Sequence, residues 1–141
     1  MNHSIPSASE RKESLVKQLL LLSEEKGRFL DSYFPIPGKD RSDMDQFLTA
    51  YTAEVQRLLA SGEDVQSPSV VLIGSKISVE YIDYKETDTF TIVFPEEADP
   101  DDNRISFLSP VGRQLLLSGL NERLAIAAPA GSMQVTITSI N

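Results

Sequence analysis

The chain is 141 residues long, 40% hydrophobic and free of cysteine. That is enough apolar residue for one ordinary core or two small ones, which excludes global disorder. It also excludes disulfides, thiolate zinc sites and cysteine nucleophiles. The formal net charge of −8 argues against direct nucleic-acid binding, which needs a basic face.

No apolar run approaches the ~20 residues of a membrane span. Val16 to Leu22 is too short and too interrupted for the apolar stretch of a signal peptide. The sequence therefore reads as cytoplasmic, with no membrane partner.

In chain order, residues 1–8 read as a frayed terminus. From Ser9 to about Tyr33 the pattern is helical, with Ser9 as the cap. Leu15, Leu19, Leu22, Phe29 and Tyr33 fall on one stripe, interrupted only by Lys26. Phe34-Pro-Ile-Pro-Gly38 ends this helix, because two prolines and a glycine cannot continue it. A second helix is expected from Ser42, with Asp45 completing a capping-box-like start. Met44, Leu48, Tyr51, Val55 and Leu58 repeat along it at steps of four and three. The two seams match as an antiparallel hairpin, a short coiled coil whose second helix has about 17 residues and a length of roughly 25 Å.

Ser61-Gly62 to Pro68 is a polar hinge and the expected domain boundary, dividing residues 1–66 from 67–141. Beyond it the period becomes two. Ile77, Val79 and Tyr81 alternate with polar residues. Phe90, Ile92 and Phe94 follow at the same spacing, as do Met133, Val135 and Ile137. Arg123 to Ala128 reads as a further strand, turned into the last one by Pro129-Ala-Gly-Ser132. Between these lies a short apolar strand, Ile105 to Leu108, running into Ser109-Pro110. Ser109 suits an N-cap and Pro110 the first helical position, where its missing N–H costs nothing. The fold class expected is α+β: a helical hairpin, then an antiparallel β domain carrying one short helix. The acidic stretch Glu96, Glu97, Asp99, Asp101 and Asp102 reads as a solvated connection, since it lacks EF-hand spacing and its glycine.

Enzyme chemistry finds few residues to use. The single histidine, His3, stands near the terminus, which leaves no Ser-His-Asp arrangement and no histidine metal site. The glycines form neither a P-loop nor a dinucleotide fingerprint. No cofactor is implied.

Four segments in order resemble the Gre family of bacterial transcription elongation factors, including its short-armed Rnk relatives. Val70-Val-Leu-Ile-Gly-Ser-Lys-Ile-Ser-Val79 is similar to the family's first strand. Phe90-Thr-Ile-Val-Phe-Pro95 is similar to the next, with an ending closer to Rnk. Ile105 to Leu117 matches the strand–SPxG–helix unit. Pro129-Ala-Gly131 matches the closing turn, with alanine where glycine is usual. The resemblance covers about half the chain, from Val70 to Ile140. It implies an FKBP-like C-terminal domain that docks on the rim of the RNA polymerase secondary channel, with a helical arm entering that channel.

On this resemblance, Asp40-Arg-Ser-Asp43 lies at the hairpin turn and takes the place of the family's Asp-x-x-Glu tip. Such tip acids help the polymerase, which performs the chemistry, to cleave backtracked RNA. Extra carboxylates complete the shell of a hard cation that the polymerase holds, and no metal is expected on the isolated protein. Met44 replaces the family's asparagine, and the arm is shorter than a full Gre arm by about three helical turns, or about 15 Å. Asp40 and Asp43 also have a local role open to them, since acids near a helix N-terminus gain from its dipole. Ser109, Pro110 and Arg113 are implied as polymerase contacts, with nucleic acid reached only through the polymerase. Two alternatives stay open: a Rnk-like regulator without cleavage activity, and a self-associating interaction module. Prolyl isomerase activity would need an aromatic pocket from Tyr81, Tyr84, Phe90, Phe94 and Phe107, and by alternation Tyr81, Phe90 and Phe94 are needed for the core.

Overall fold

The computed structural model describes residues 7–128 and 131–141. His3, most of the expected frayed terminus, and Pro129-Ala130 of the expected closing turn lie outside the described residues. The chain divides into two compact units, Met1–Gln66 and Ser67–Asn141.

The first unit is a hairpin of helices. α1 spans Ala8–Leu19, a wide π turn covers Leu20–Glu24, α2 runs over Lys26–Tyr33 and α3 over Lys39–Ser61. Three pairs across it fix the antiparallel register. Tyr51 Oη donates to Gln18 Oε1 at 2.6 Å, Lys26 Nζ donates to Thr49 Oγ1 at 3.2 Å, and Lys26 Nζ lies 2.7 Å from Asp45 Oδ1. The partner's number falls as the first number rises. Leu15, Leu22, Phe29 and Leu30 are buried, as are Met44, Leu48, Tyr51, Val55 and Leu58.

Several sequence expectations change here. The cap is Ser7 rather than Ser9: its hydroxyl accepts from Glu10 N at 3.1 Å, and Glu10 Oε1 accepts from Ser7 N at 2.9 Å. The first helix is also not continuous. The π turn inserts one residue, which rotates α2 by about 100° relative to α1. Leu30 therefore joins the core, while Tyr33 is left 41% exposed. α3 starts at Lys39, with Gly38 in the cap position, so Ser42 lies inside the helix and its amide already donates to Gly38 O at 3.0 Å. Asp45 pairs with Lys26 instead of closing a capping box. α3 has 23 residues against the expected 17, which adds about 9 Å at 1.5 Å per residue. Gly62, left-handed at φ 78°, ends it.

The second unit is a five-stranded sheet: β1 (Lys76–Tyr81), β2 (Glu86–Val93), β3 (Arg104–Ser106), β4 (Arg123–Ala128) and β5 (Gly131–Ile140), in the order β3-β2-β1-β5-β4. Its α-helix among the described residues, α4, is Pro110–Leu115. The sheet is mixed rather than wholly antiparallel, since β3 pairs parallel with β2. The acidic connection makes that crossover. Two short 3₁₀ turns, Pro95–Glu97 and Pro100–Asp102, return the chain, and Asn103 takes a left-handed conformation at φ 53°. The five acids are exposed. Asp99 accepts from Asp101 N, and Glu97 faces Arg104 at 3.8 Å.

The expected strand over Val70–Val79 is broken at Gly74, which turns at φ 100°. Only Lys76 onward joins the ladder, while Val71, Leu72 and Ile73 are buried ahead of it. The strand expected over 105–108 is Arg104–Ser106, and Leu108 lies beyond it. Ile77, Val79, Ile92, Phe107, Leu115, Val135 and Ile137 make the core, whereas Tyr81, Phe90 and Phe94 are only half-buried. Phe94 meets the buried Phe107 edge-on at 5.5 Å, and Tyr84 is 65% exposed on the β1–β2 turn.

Candidate functional site

The turn into α4 is built by hydrogen bonds from a few short side chains. Ser109 Oγ accepts from Gly112 N at 3.1 Å and donates to Ser106 O at 2.8 Å, so one hydroxyl caps α4 and ties it to the end of β3. Pro110 follows at the first helical position. Gly112 is buried, and its α-carbon passes so close to the Ser106 carbonyl that a β-carbon has no room. Arg113 stands one residue further, its amide donating to Ser109 O at 2.8 Å. At the other end of α4, Gln114 bonds to the backbone of β4. Pro110 is exposed, and Ser109 and Arg113 are half-buried. The structure therefore brings Ser109, Pro110 and Arg113 together on one turn.

Asp40 and Asp43 sit not in the hairpin turn but in the first turns of α3, where three-residue spacing places them on neighbouring positions of the helix surface. The turn itself, residues 34–38, is largely apolar and exposes Ile36 at 78%. A cavity of about 370 Å³ is lined by residues 33–40. Lys39 Nζ donates to Asp43 Oδ2 at 2.7 Å. That bond, with the nearby Asp43 and Asp40 charges, raises the Lys39 pKa. Arg41 reaches back across the turn, donating to Phe34 O at 2.9 Å and pairing with Asp31 at 3.0 Å. Two carboxylates, one of them paired with an ammonium, leave most of a hard cation's six or more oxygen ligands to water or to another molecule. Among the described residues no cluster of three or more His, Cys, Asp or Glu could hold a metal ion. The Lys39–Asp43 pair is exposed enough that breaking it costs little.

Gly112 and Gln114 are the residues of this region that sequence reasoning passed over. Gly112 was visible as a member of the SPxG pattern. Gln114 carries no signal in the sequence, because its role depends on the strand that α4 packs against.

Residues 66–141 match the family model described as transcription elongation factor, GreA/GreB, C-terminal. The chain belongs to the GreA/GreB family. The match takes in the whole sheet and the α4 turn. A transcription elongation factor GreA from Chloroflexus aggregans is 32% identical over 106 residues, covering 72% of this chain and 68% of that protein. One from Desulfovibrio desulfuricans is 36% identical over 78 residues, covering 55% of this chain and 48% of the relative. The chain thus spans about half the length of that relative. Among solved structures, a prokaryotic GreA/GreB factor from Nitrosomonas europaea superposes with a TM-score of 0.58 at 25% identity. It covers 85% of this chain and 93% of the other. As in those GreA/GreB relatives, a helical hairpin precedes the β unit.

Proposed function

We propose that this chain binds bacterial RNA polymerase at its secondary channel and modulates elongation, as an accessory factor rather than an enzyme. Family membership, carried by the match over residues 66–141, is the observation that supports this most. In this reading the β unit holds the chain on the polymerase, and the α4 turn presents Ser109, Pro110 and Arg113 at the contact. α3, about 35 Å long at 1.5 Å per residue, is the length of the arm. Asp40 and Asp43 at its start are the groups placed to assist cleavage of backtracked RNA, which the polymerase itself would perform. Nucleic acid is met only within that complex, and the working compartment is the cytoplasm. No helix among the described residues is long and apolar enough to cross a membrane.

One observation favours a second form of the reading, in which the factor occupies the channel without stimulating cleavage. Met44 stands directly after Asp43, where the resemblance puts the family's asparagine, so an amide is replaced by an apolar side chain.

A stalled, backtracked polymerase separates the two. With the wild-type protein bound, RNA cleavage accelerates. The Asp40→Ala/Asp43→Ala variant still binds but loses about tenfold or more of the stimulation, equivalent to about 1.4 kcal/mol of barrier. Binding with no acceleration assigns the occupying role. Absence of binding by the wild-type chain overturns the polymerase reading altogether.

A further inference from the structure

β4 is an edge strand, and an edge leaves alternate N–H and C=O groups without a strand to pair with. At Ala127 both groups are taken up by a side chain. Gln114 Oε1 accepts from Ala127 N at 2.8 Å, and Gln114 Nε2 donates to Ala127 O at 3.0 Å. The same nitrogen donates to Pro110 O at 2.8 Å within α4. The N–H and C=O of one strand residue point to the same side, so Ala127 faces away from β5 and the carboxamide stands where a sixth strand would pair. The orientation of the amide is fixed by its partners. Reversed, Nε2 would face an N–H and Oε1 two carbonyls, and every bond would be lost.

α4 needs such an anchor. It has six residues, far too few to be stable as an isolated helix. It packs against both β3 and β4, the two edges of the sheet. At the β3 end the tie is Ser109 on Ser106; at the β4 end it is Gln114 on Ala127. Arg113 sits between these ties.

We propose that Gln114 is a positioning residue for the α4 contact. Its carboxamide takes the place of a neighbouring strand on β4 and thereby sets the angle at which Pro110 and Arg113 are presented. The contact role rests on the polymerase reading above; the backbone tie itself does not.

The test uses the full chain with Gln114→Ala and Gln114→Glu. Glutamate keeps the size of glutamine and an acceptor for Ala127 N, but it sets a carboxylate oxygen against Ala127 O and Pro110 O, so both donor bonds are lost. A packing role therefore predicts that Gln114→Glu binds polymerase as wild type, whereas the tie predicts weaker binding. The first readout is amide hydrogen exchange by NMR. We expect the Ala127 amide to be protected in the wild type and to exchange at least about tenfold faster in Gln114→Ala, the scale of one lost hydrogen bond. Leu124 and Ile126, which face β5, keep their protection and certify the fold. The second readout is affinity for RNA polymerase, which should fall at least about fivefold in both variants with Arg113 intact. An Arg113→Ala control should lose affinity while leaving Ala127 exchange unchanged. Unchanged Ala127 exchange in Gln114→Ala overturns the tie. Faster exchange with full affinity overturns the positioning role. A wild-type chain that fails to bind polymerase overturns the polymerase reading, and the contact role of Gln114 with it.

Discussion

A β-carbon at position 112 would run into the carbonyl oxygen of Ser106 and stand 3.1 Å from Ser109 Oγ. That carbonyl has little freedom to retreat, since it accepts from both the amide and the hydroxyl of Ser109. Gly112→Ala must therefore lift α4 off the end of β3 and break the cap. We expect a loss of about 1–3 kcal/mol, the range for overpacking a filled site. A lower urea midpoint for the β-unit amide signals would report it, together with weaker retention by polymerase; an unshifted midpoint would show that the turn adapts. In the helical unit the problem is a buried charge. Arg11 is 6% exposed, and its Nε and Nη1 atoms have no hydrogen-bond partner among the described residues. Burial pushes its pKa down, and Tyr51 acts the other way. Replacing a poorly satisfied buried ion by an apolar side chain of similar length is often stabilising. Arg11→Met should raise the urea midpoint of the helical circular dichroism signal, by about 1–2 kcal/mol in stability. A fall in the midpoint would mean that the guanidinium contributes more than it costs.

Where elements begin depended on contacts that a sequence does not print. Met44, Leu48, Tyr51, Val55 and Leu58 were legible as a seam because a 3.6-residue period needs nothing beyond the helix itself, and all five are buried. The start of α3 was not. Ser42 and Asp45 have capping spacing, but Gly38 and the reach of Arg41 to Phe34 O set the first turn three residues earlier. The π turn left no mark on composition, so Leu30 was missed and Tyr33 wrongly placed in the core. In the sheet the alternating strands were legible, whereas the parallel pairing of β3 was not. Three residues carry no period, and their partner is chosen by the 3₁₀ turns before them. Of the candidate site, Ser109 and Pro110 could be read because capping is local chemistry, while Gln114 could not because its partner is thirteen residues away. The α1 cap gives a pH prediction. Ser7 holds the Glu10 carboxyl below its ordinary value, first through its backbone N–H and then through its hydroxyl. A depressed folded-state pKa adds stability above the unfolded value, near 4.5, and that stability is lost as pH falls through the folded value. Glu10→Gln keeps an acceptor but removes the titration. Between about pH 6 and pH 3, across the carboxylate range, the thermal midpoint of the helical signal should fall less steeply in Glu10→Gln than in the wild type. Parallel slopes would remove Glu10 from the account.

For the whole molecule the central question is whether the β unit can act without the arm. It has a core of its own, in which Val71, Leu72, Ile77, Ile92, Phe107, Leu115, Val135 and Ile137 are fully buried. Its inner strands β2, β1 and β5 are paired on both sides. Residues 67–141 number 75, above the size at which small domains begin to fold alone. We expect this fragment to give a dispersed amide spectrum. Charge then bears on what it binds. Five Lys and Arg stand against ten Asp and Glu in the fragment, leaving it at −5 of the chain's −8. Such a surface is repelled by phosphate and suited to a basic protein face, so its retention should require polymerase protein and no nucleic acid. Core polymerase stripped of DNA and RNA should hold the fragment within about tenfold of the full chain's affinity, about 1.4 kcal/mol, and rising salt should weaken the complex. RNA alone should hold neither. Because the tip acids lie outside the fragment, it should compete with the full chain for polymerase while stimulating no cleavage. A folded fragment that polymerase does not retain would move the contact from the α4 turn to the helical unit.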